Sequence, residues 1–198
     1  MSNKIDISAL SQKWIKDSPI YLDTETTGLG GKDEIVQIAI VGDDGRTILD
    51  TFVKPTIAIP LDATRIHGIT NAMVSGAPAW KDIWQRVRNL MNGQRVIVYN
   101  SAYDVQMMRQ SCAAHGLSFD EAIDPPFIAR FDCCMLLYAE FYGEWNDYRG
   151  GYKWQRLEVA CQQQGIPTQD IIAHQAAGDC EMTRRLMHKM AAGVEVMA

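Results

Sequence analysis

Three apolar runs joined by short polar turns open the chain, and they set the narrowest limit on what it can fold into. Ile20-Tyr21-Leu22 leads from Pro19 into Asp23, Glu34 to Val41 is a second run closed by Gly42-Asp43-Asp44-Gly45, and a third lies near Thr47 to Val53. Such runs, bounded by glycine and aspartate, read as strands, and the short turns between them predict an antiparallel meander that Pro55 and Pro60 end.

The period then changes. From Ala79 to Leu90, Trp80, Ile83, Trp84, Val87 and Leu90 recur at helical spacing until Gly93. Arg95 to Tyr99 is a short buried strand, and Asn100 or Ser101 can cap a helix running to about His115, with Val105, Met108 and Cys112 on its apolar face and Gly116 as its stop. Further helices are predicted over Asp132 to Phe141, Trp154 to Gln164 and about Ala176 to Ala192, with the polar-aromatic segment Tyr142 to Lys153 between the first two. Strands first, then helix, strand and more helices is an α/β order in which helices cover a mixed sheet. Several mixed folds share it, so the motifs must decide.

Length and composition add boundaries. With 198 residues, 47% hydrophobic and 22% charged, and no linker-like stretch or internal repeat, one domain over residues 1–198 with its core at about 19–192 is expected. Met1 to Asp17 lacks the apolar core of a signal peptide, and no run approaches the ~20 apolar residues of a membrane span, so the expectation is a cytoplasmic protein with no membrane partner. Five cysteines without a CxxC pair fit reduced, mostly buried thiols, with Cys133-Cys134 in packing. A net charge of −5 argues against a broad basic surface that coats duplexes, but an enzyme gripping a few nucleotides can rely on divalent cations and local arginines.

Asp23-Thr24-Glu25 puts two carboxylates on one side of a strand end, where each disfavours the other's charge and a divalent cation relieves both. Solvated strand-end charges are the plain alternative. The string Asp23-Thr24-Glu25-Thr26-Thr27-Gly28-Leu29, followed by Ile35-Val36-Gln37-Ile38-Ala39, resembles the first motif of the DEDD exonucleases, represented by the proofreading subunits of bacterial replicative polymerases. Tyr99-Asn100-Ser101-Ala102-Tyr103-Asp104 resembles the second motif, HNAxFD, with tyrosine for histidine, serine for alanine and tyrosine for phenylalanine; Asp104 taken alone could be a helix-start charge. His174 to Asp179 matches the HxxxxD pattern of the histidine-containing DEDDh branch. Residues five apart on one helix point about 140° apart, so His174 must precede the helix if it is to share a site with Asp179. Thr64-Arg65-Ile66-His67-Gly68-Ile69-Thr70 resembles the family's HGI segment, and the likeness extends over roughly Ile20 to Met190.

The resemblance implies an RNase H-like fold, a central mixed sheet flanked by helices, and a 3′–5′ exonuclease that releases 5′-mononucleotides. It implies two divalent ions, Mg²⁺ or Mn²⁺, ~3.5–4 Å apart, with Asp23 bridging both, Glu25 and Asp179 completing one, Asp104 holding the other and His174 as general base. Thr26, Gly28, Leu29, His67 and Asn100 are expected at the substrate, although Leu29 could be core and His67 a turn residue beside a required glycine. The expected partner is nucleic acid with a 3′ end, single-stranded DNA before RNA, in proofreading or repair beside a polymerase or repair protein. A related endonuclease or a noncatalytic binding module are the rival readings. Trp145, Tyr148, Tyr152 and Trp154, interleaved with Arg149, Lys153 and Arg156, are expected in core packing or self-association before strand stacking. Arg185, His188 and Lys189 are expected to complement the last helix's dipole.

Overall fold

The computed structural model describes residues 2–119 and 127–193. The chain begins with α1 (Ser2–Lys16) and continues as β1 (Ile20–Thr26), β2 (Ile35–Gly42) and β3 (Thr47–Phe52). Two short helices, α2 (Leu61–His67) and α3 (Asn71–Val74), precede α4 (Trp80–Met91), β4 (Arg95–Val98) and α5 (Ser101–Ala114). Then come β5 (Arg130–Cys133), α6 (Cys134–Tyr142), the paired strands β6 (Trp145–Asn146) and β7 (Gly151–Tyr152), α7 (Leu157–Gln163) and α8 (Ala176–Ala191).

The main sheet has the order β3-β2-β1-β4-β5. The meander is antiparallel as expected, whereas β4 runs parallel to β1 and β5 parallel to β4. Side chains of a strand alternate between faces, and the sheet obeys this rule closely. Ile20, Leu22, Ile38, Ile40, Val96 and Val98 join Trp80, Trp84, Met107 and Met108 of α4 and α5 on one face. Tyr21, Ala39, Val41 and Ile97 join Tyr138, Cys180, Leu186 and Met187 of α6 and α8 on the other. Both faces are covered, which is why these strands carry almost unbroken apolar sequence. No helix among the described residues is long and apolar enough to cross a membrane.

Four expectations need correction. The core does not start at 19: α1 turns Ile7, Ser11 and Trp14 inward at helical spacing and packs on α6 and α8. Buried Arg95 then joins the end of that helix to the sheet, donating to Asp17 at 2.8 Å and to Asp132, with its guanidinium 5.3 Å from the Trp14 ring. The stretch Asp132 to Phe141 is not one helix, because β5 pairs with β4 through Cys133 and α6 starts only at Cys134. The helix predicted from Trp154 starts at Leu157, after the β6–β7 hairpin. Finally, Arg185 and His188 serve tertiary contacts: Arg185 pairs with Glu181 and Asp170, and His188 reaches Asp43 at 2.9 Å.

Candidate active site

Strand β1 lies mid-sheet, antiparallel to one neighbour and parallel to the other, and ligands of open α/β sheets bind beyond strand ends at such a reversal. Its C-terminal half carries Asp23 and Glu25 on the α8 side. Asp179, in the first turn of α8, comes down on the same face, and the carboxylates of Asp23, Glu25 and Asp179 present oxygens within 4.8 Å of one another. Asp104, in the first turn of α5, is buried and accepts the Thr24 hydroxyl proton at 2.7 Å. Thr24 thereby holds the fourth acid beside the strand bearing the first two.

The electrostatics record this crowding. Burial first, and then the negative charge of Asp104, Asp179 and Glu25, pushes Asp23 well above the carboxylate range. Burial and its acidic neighbours push Glu25 up to about 8. Asp104 is pushed up to about 7 by burial, against the lowering hydrogen bonds from Thr24, and Asp179 to about 6, against the lowering influence of His174. Four desolvated acids brought together from three elements suit a hard divalent cation, because such a charge removes the repulsion and the desolvation cost together.

Two clefts flank the acids. The β1 cleft, of about 550 Å³, is lined by Glu25, Thr26, Gly28, Leu29, His67 and Tyr103. Its wall is tied by short polar contacts: the Thr26 and Tyr103 hydroxyls lie 2.6 Å apart and reach the Gly28 carbonyl at 2.9 and 3.0 Å. Asp33 accepts from the Thr27 hydroxyl and the Gly30 N–H, both at 2.6 Å, and a Cβ on Gly28 would meet its carboxylate at 2.8 Å. Leu29 is 84% exposed, so the core alternative for it is wrong: both neighbouring contacts engage backbone and leave its side chain in the open. His67 is buried, its Nδ1 accepting the Ile69 N–H at 3.0 Å and its Nε2 donating to the Thr26 carbonyl at 3.2 Å. Burial lowers its pKa. Gly68, at φ +76°, makes the turn that permits this, so His67 braces the cleft through its ring nitrogens.

The opposite cleft, of about 370 Å³, is lined by Asn100, Gln155, Arg156, Glu158, His174 and Asp179. Asn100 stands at the N-cap of α5, but its side chain makes no capping bond, contrary to the sequence expectation, and it is exposed to the cleft. His174 lies before α8, in the left-handed region at φ +57°. Its backbone N–H donates to Asp179 at 3.3 Å, and its Nε2 lies 3.4 Å from Glu158 of α7. The loop bearing it is fastened to α8 twice. Arg185 donates to Pro167 and forks onto Asp170, and Gly178 packs so closely beneath Ile172 that a Cβ there would stand 2.2 Å from the carbonyl oxygen. Gln37, buried on β2, accepts the Ala176 N–H at 3.4 Å and so fixes the helix start.

Thus the structure brings Asp23, Glu25, Asp104 and Asp179 together, places Thr26, Gly28, Leu29 and His67 on one wall, and sets Asn100 and His174 on the other. Sequence reasoning missed Thr24, Asp33, Tyr103, Glu158 and Arg185. Thr24 and Tyr103 lay inside the motif strings, but only their partners across the fold reveal what they do.

The exonuclease family RNase_T matches residues 20–187. An uncharacterized exonuclease, CP81, of Escherichia phage 186 is 42% identical over 188 residues, covering 94% of this chain and 95% of that protein. A DNA polymerase III subunit epsilon-like protein of Rhodobacter capsulatus is 32% identical over 171 residues, 83% of this chain but only 22% of that protein. Among solved structures, exonuclease X in complex with 5′ overhanging duplex DNA aligns with a TM-score of 0.64 at 24% identity, covering 87% of this chain and 91% of that one. The nuclease domain of 3′hExo, a DEDDh family member bound to rAMP, aligns with a TM-score of 0.66 at 18% identity, covering 89% and 92%. At those identities the alignments establish the fold, which is RNase H-like. The extent of the family match and the phage relative's near-complete overlap settle the rest: the chain belongs to the RNase_T exonuclease family.

Proposed function

We propose that this protein is a DEDDh-type 3′–5′ exonuclease that removes 5′-mononucleotides from the 3′ ends of nucleic acid, single-stranded DNA before RNA. The observation that carries the reading is the crowded quartet of buried Asp104 and partly buried Asp23, Glu25 and Asp179, whose carboxyls are all driven toward protonation. The acids fit two divalent ions, Mg²⁺ or Mn²⁺. Asp23, Glu25 and Asp179 form the group compact enough to hold one, and Asp104 beside Asp23 holds the second. When bound, such ions neutralise phosphate charge and acidify water.

The chain's own groups supply the remainder. His174, on the loop ahead of α8, takes the proton of the attacking water at a ring nitrogen. Glu158 lies 3.4 Å from the same ring and helps to orient it. Leu29 and the Gly28 backbone face the terminal base, with Thr26 and His67 bracing them from behind. Asn100 meets the sugar-phosphate from the other wall. The chain acts as one domain in the cytoplasm, in proofreading or repair beside a polymerase or repair protein.

The deciding experiment incubates the protein with Mg²⁺ or Mn²⁺ and 5′-labelled single-stranded DNA or RNA, and resolves the products by length. A ladder shortening from the 3′ end, faster on DNA and abolished by chelation, is expected. Comparable cutting of a circular single strand would overturn the reading.

A further inference from the structure

Between α6 and α7 the chain holds an arm that the active-site chemistry does not use. Its strands β6 and β7 have two residues each, too short for ladder bonds alone to hold a hairpin. Side chains stiffen it. Trp145 sits edge-to-face on its register partner Tyr152 at 5.2 Å, and the Arg149 guanidinium lies 5.5 Å from the Trp154 ring. Its base is anchored: Lys153 pairs with Glu144 at 2.9 Å, the Gln155 amide donates to Glu144 at 3.1 Å, and the Tyr99 hydroxyl donates to the Gln155 carbonyl at 2.9 Å.

Of the two expectations for these rings, core packing and self-association, the first fails for three of them. Trp145, Tyr148 and Trp154 are 54%, 98% and 55% exposed. Residues 144–156 carry three cations, Arg149, Lys153 and Arg156, against two acids, Glu144 and Asp147, in a chain whose net charge is −5. Moreover, the arm runs straight into the wall of the cleft, where Gln155 and Arg156 line the same space as His174 and Asp179.

We propose that the β6–β7 hairpin is a stacking arm for single-stranded nucleic acid, receiving bases on the 5′ side of the nucleotide held at the carboxylates. The position of the strand's end rests on the exonuclease reading; the affinity of the arm for a strand does not. Exposed aromatic faces suit bases of any identity, and the Arg149 plane beside Trp154 adds a cation to the platform. A protein partner or a second copy of the chain could also cover rings, but continuity with the cleft and the local excess of cations favour a strand.

Binding is measured by anisotropy in Ca²⁺, which leaves the strand uncut, using a labelled long oligothymidylate, and by competition for a thymidine dinucleotide. Tyr148→Ala and Trp154→Ala should each weaken the long strand by roughly 5- to 150-fold, the range for loss of one base–aromatic stack, and leave the dinucleotide unchanged. Trp154→Phe should retain most of the affinity, which separates stacking from damage to the hairpin. Arg149→Gln should reduce the salt slope by roughly 0.7, whereas Tyr148→Ala should not alter it. Unchanged affinity for the long strand in both alanine variants overturns the proposal, as does equal weakening of the dinucleotide, or an effect confined to self-association in sedimentation. Turnover of the parent in Mn²⁺ is read separately: ring-dependent binding without cleavage sinks the exonuclease reading alone, and cleavage with ring-independent binding sinks the arm alone.

Discussion

The two walls of the active site are built by opposite means. The β1 wall is internal architecture: Thr26, Thr27, Asp33, Tyr103 and His67 close short hydrogen bonds around the Gly28 backbone, most of them at the edge of the core. The His174 wall is a loop fastened from outside, by the Arg185 fork on Asp170 and by the close seat of Ile172 on Gly178, with its histidine in a left-handed conformation and its N–H held by Asp179. One wall is held by hydrogen bonds within itself, the other by contacts to the helix behind it.

The comparison is broken or sharpened by measurement, beginning with the largest effect. Asp23→Ala should abolish turnover, because it strips from the acidic group the carboxylate that feels all three of the others. The same change removes a carboxyl that its neighbours repel, so the melting temperature in chelator should stay level or rise. An unfolded variant, or one with near-normal turnover, would break the assignment.

His174→Ala should cost roughly 10²–10⁴-fold in single-turnover rate at saturating Mn²⁺. Gly178→Ala tests the clamp itself. The added Cβ must displace Ile172 and the loop after it, so the rate should fall toward that of His174→Ala while metal affinity changes little. If Gly178→Ala turns over normally, the seat beneath Ile172 does not position the histidine.

Stability without metal should depend on pH in a defined direction. In the folded state Asp179 is raised to about 6 and Glu25 to about 8, while unfolded carboxyls titrate near ~4. Between those values the folded chain holds protons that the unfolded chain has released, so stability is fully present below about pH 4 and is lost as pH rises through about 6 to 8. Thermal melts in chelator at several pH values should show this fall, and Mg²⁺ should flatten it. A metal-free melting temperature that rises over the window would contradict the crowding of the acids.

The smallest effect expected is on the β1 wall. Tyr103→Phe removes one hydroxyl from the knot around Gly28 and should cost about 1 kcal/mol in denaturant unfolding, with only a few-fold change in rate. A loss of rate as deep as that of Gly178→Ala would mean that the wall acts on the reaction directly.

The sequence by itself determined the meander and most helices, and it singled out the four acids and His174 as candidates. Strand alternation, helical spacing and the motif strings are local properties, and the need for His174 to precede α8 follows from helix geometry alone. Tertiary structure decided what local pattern cannot carry. Met1 to Asp17 is polar in sequence, yet Ile7 and Trp14 find a place because α6 and α8 leave a groove between them. Arg130–Cys133 is a strand because β4 offers it an edge. Position alone assigns Arg185 to its own helix's dipole, but its partners Asp170 and Pro167 come from the preceding loop. The aromatic segment reads the same whether its rings are buried or exposed, since composition reports which surfaces are apolar and only the packed chain decides which of them find cover.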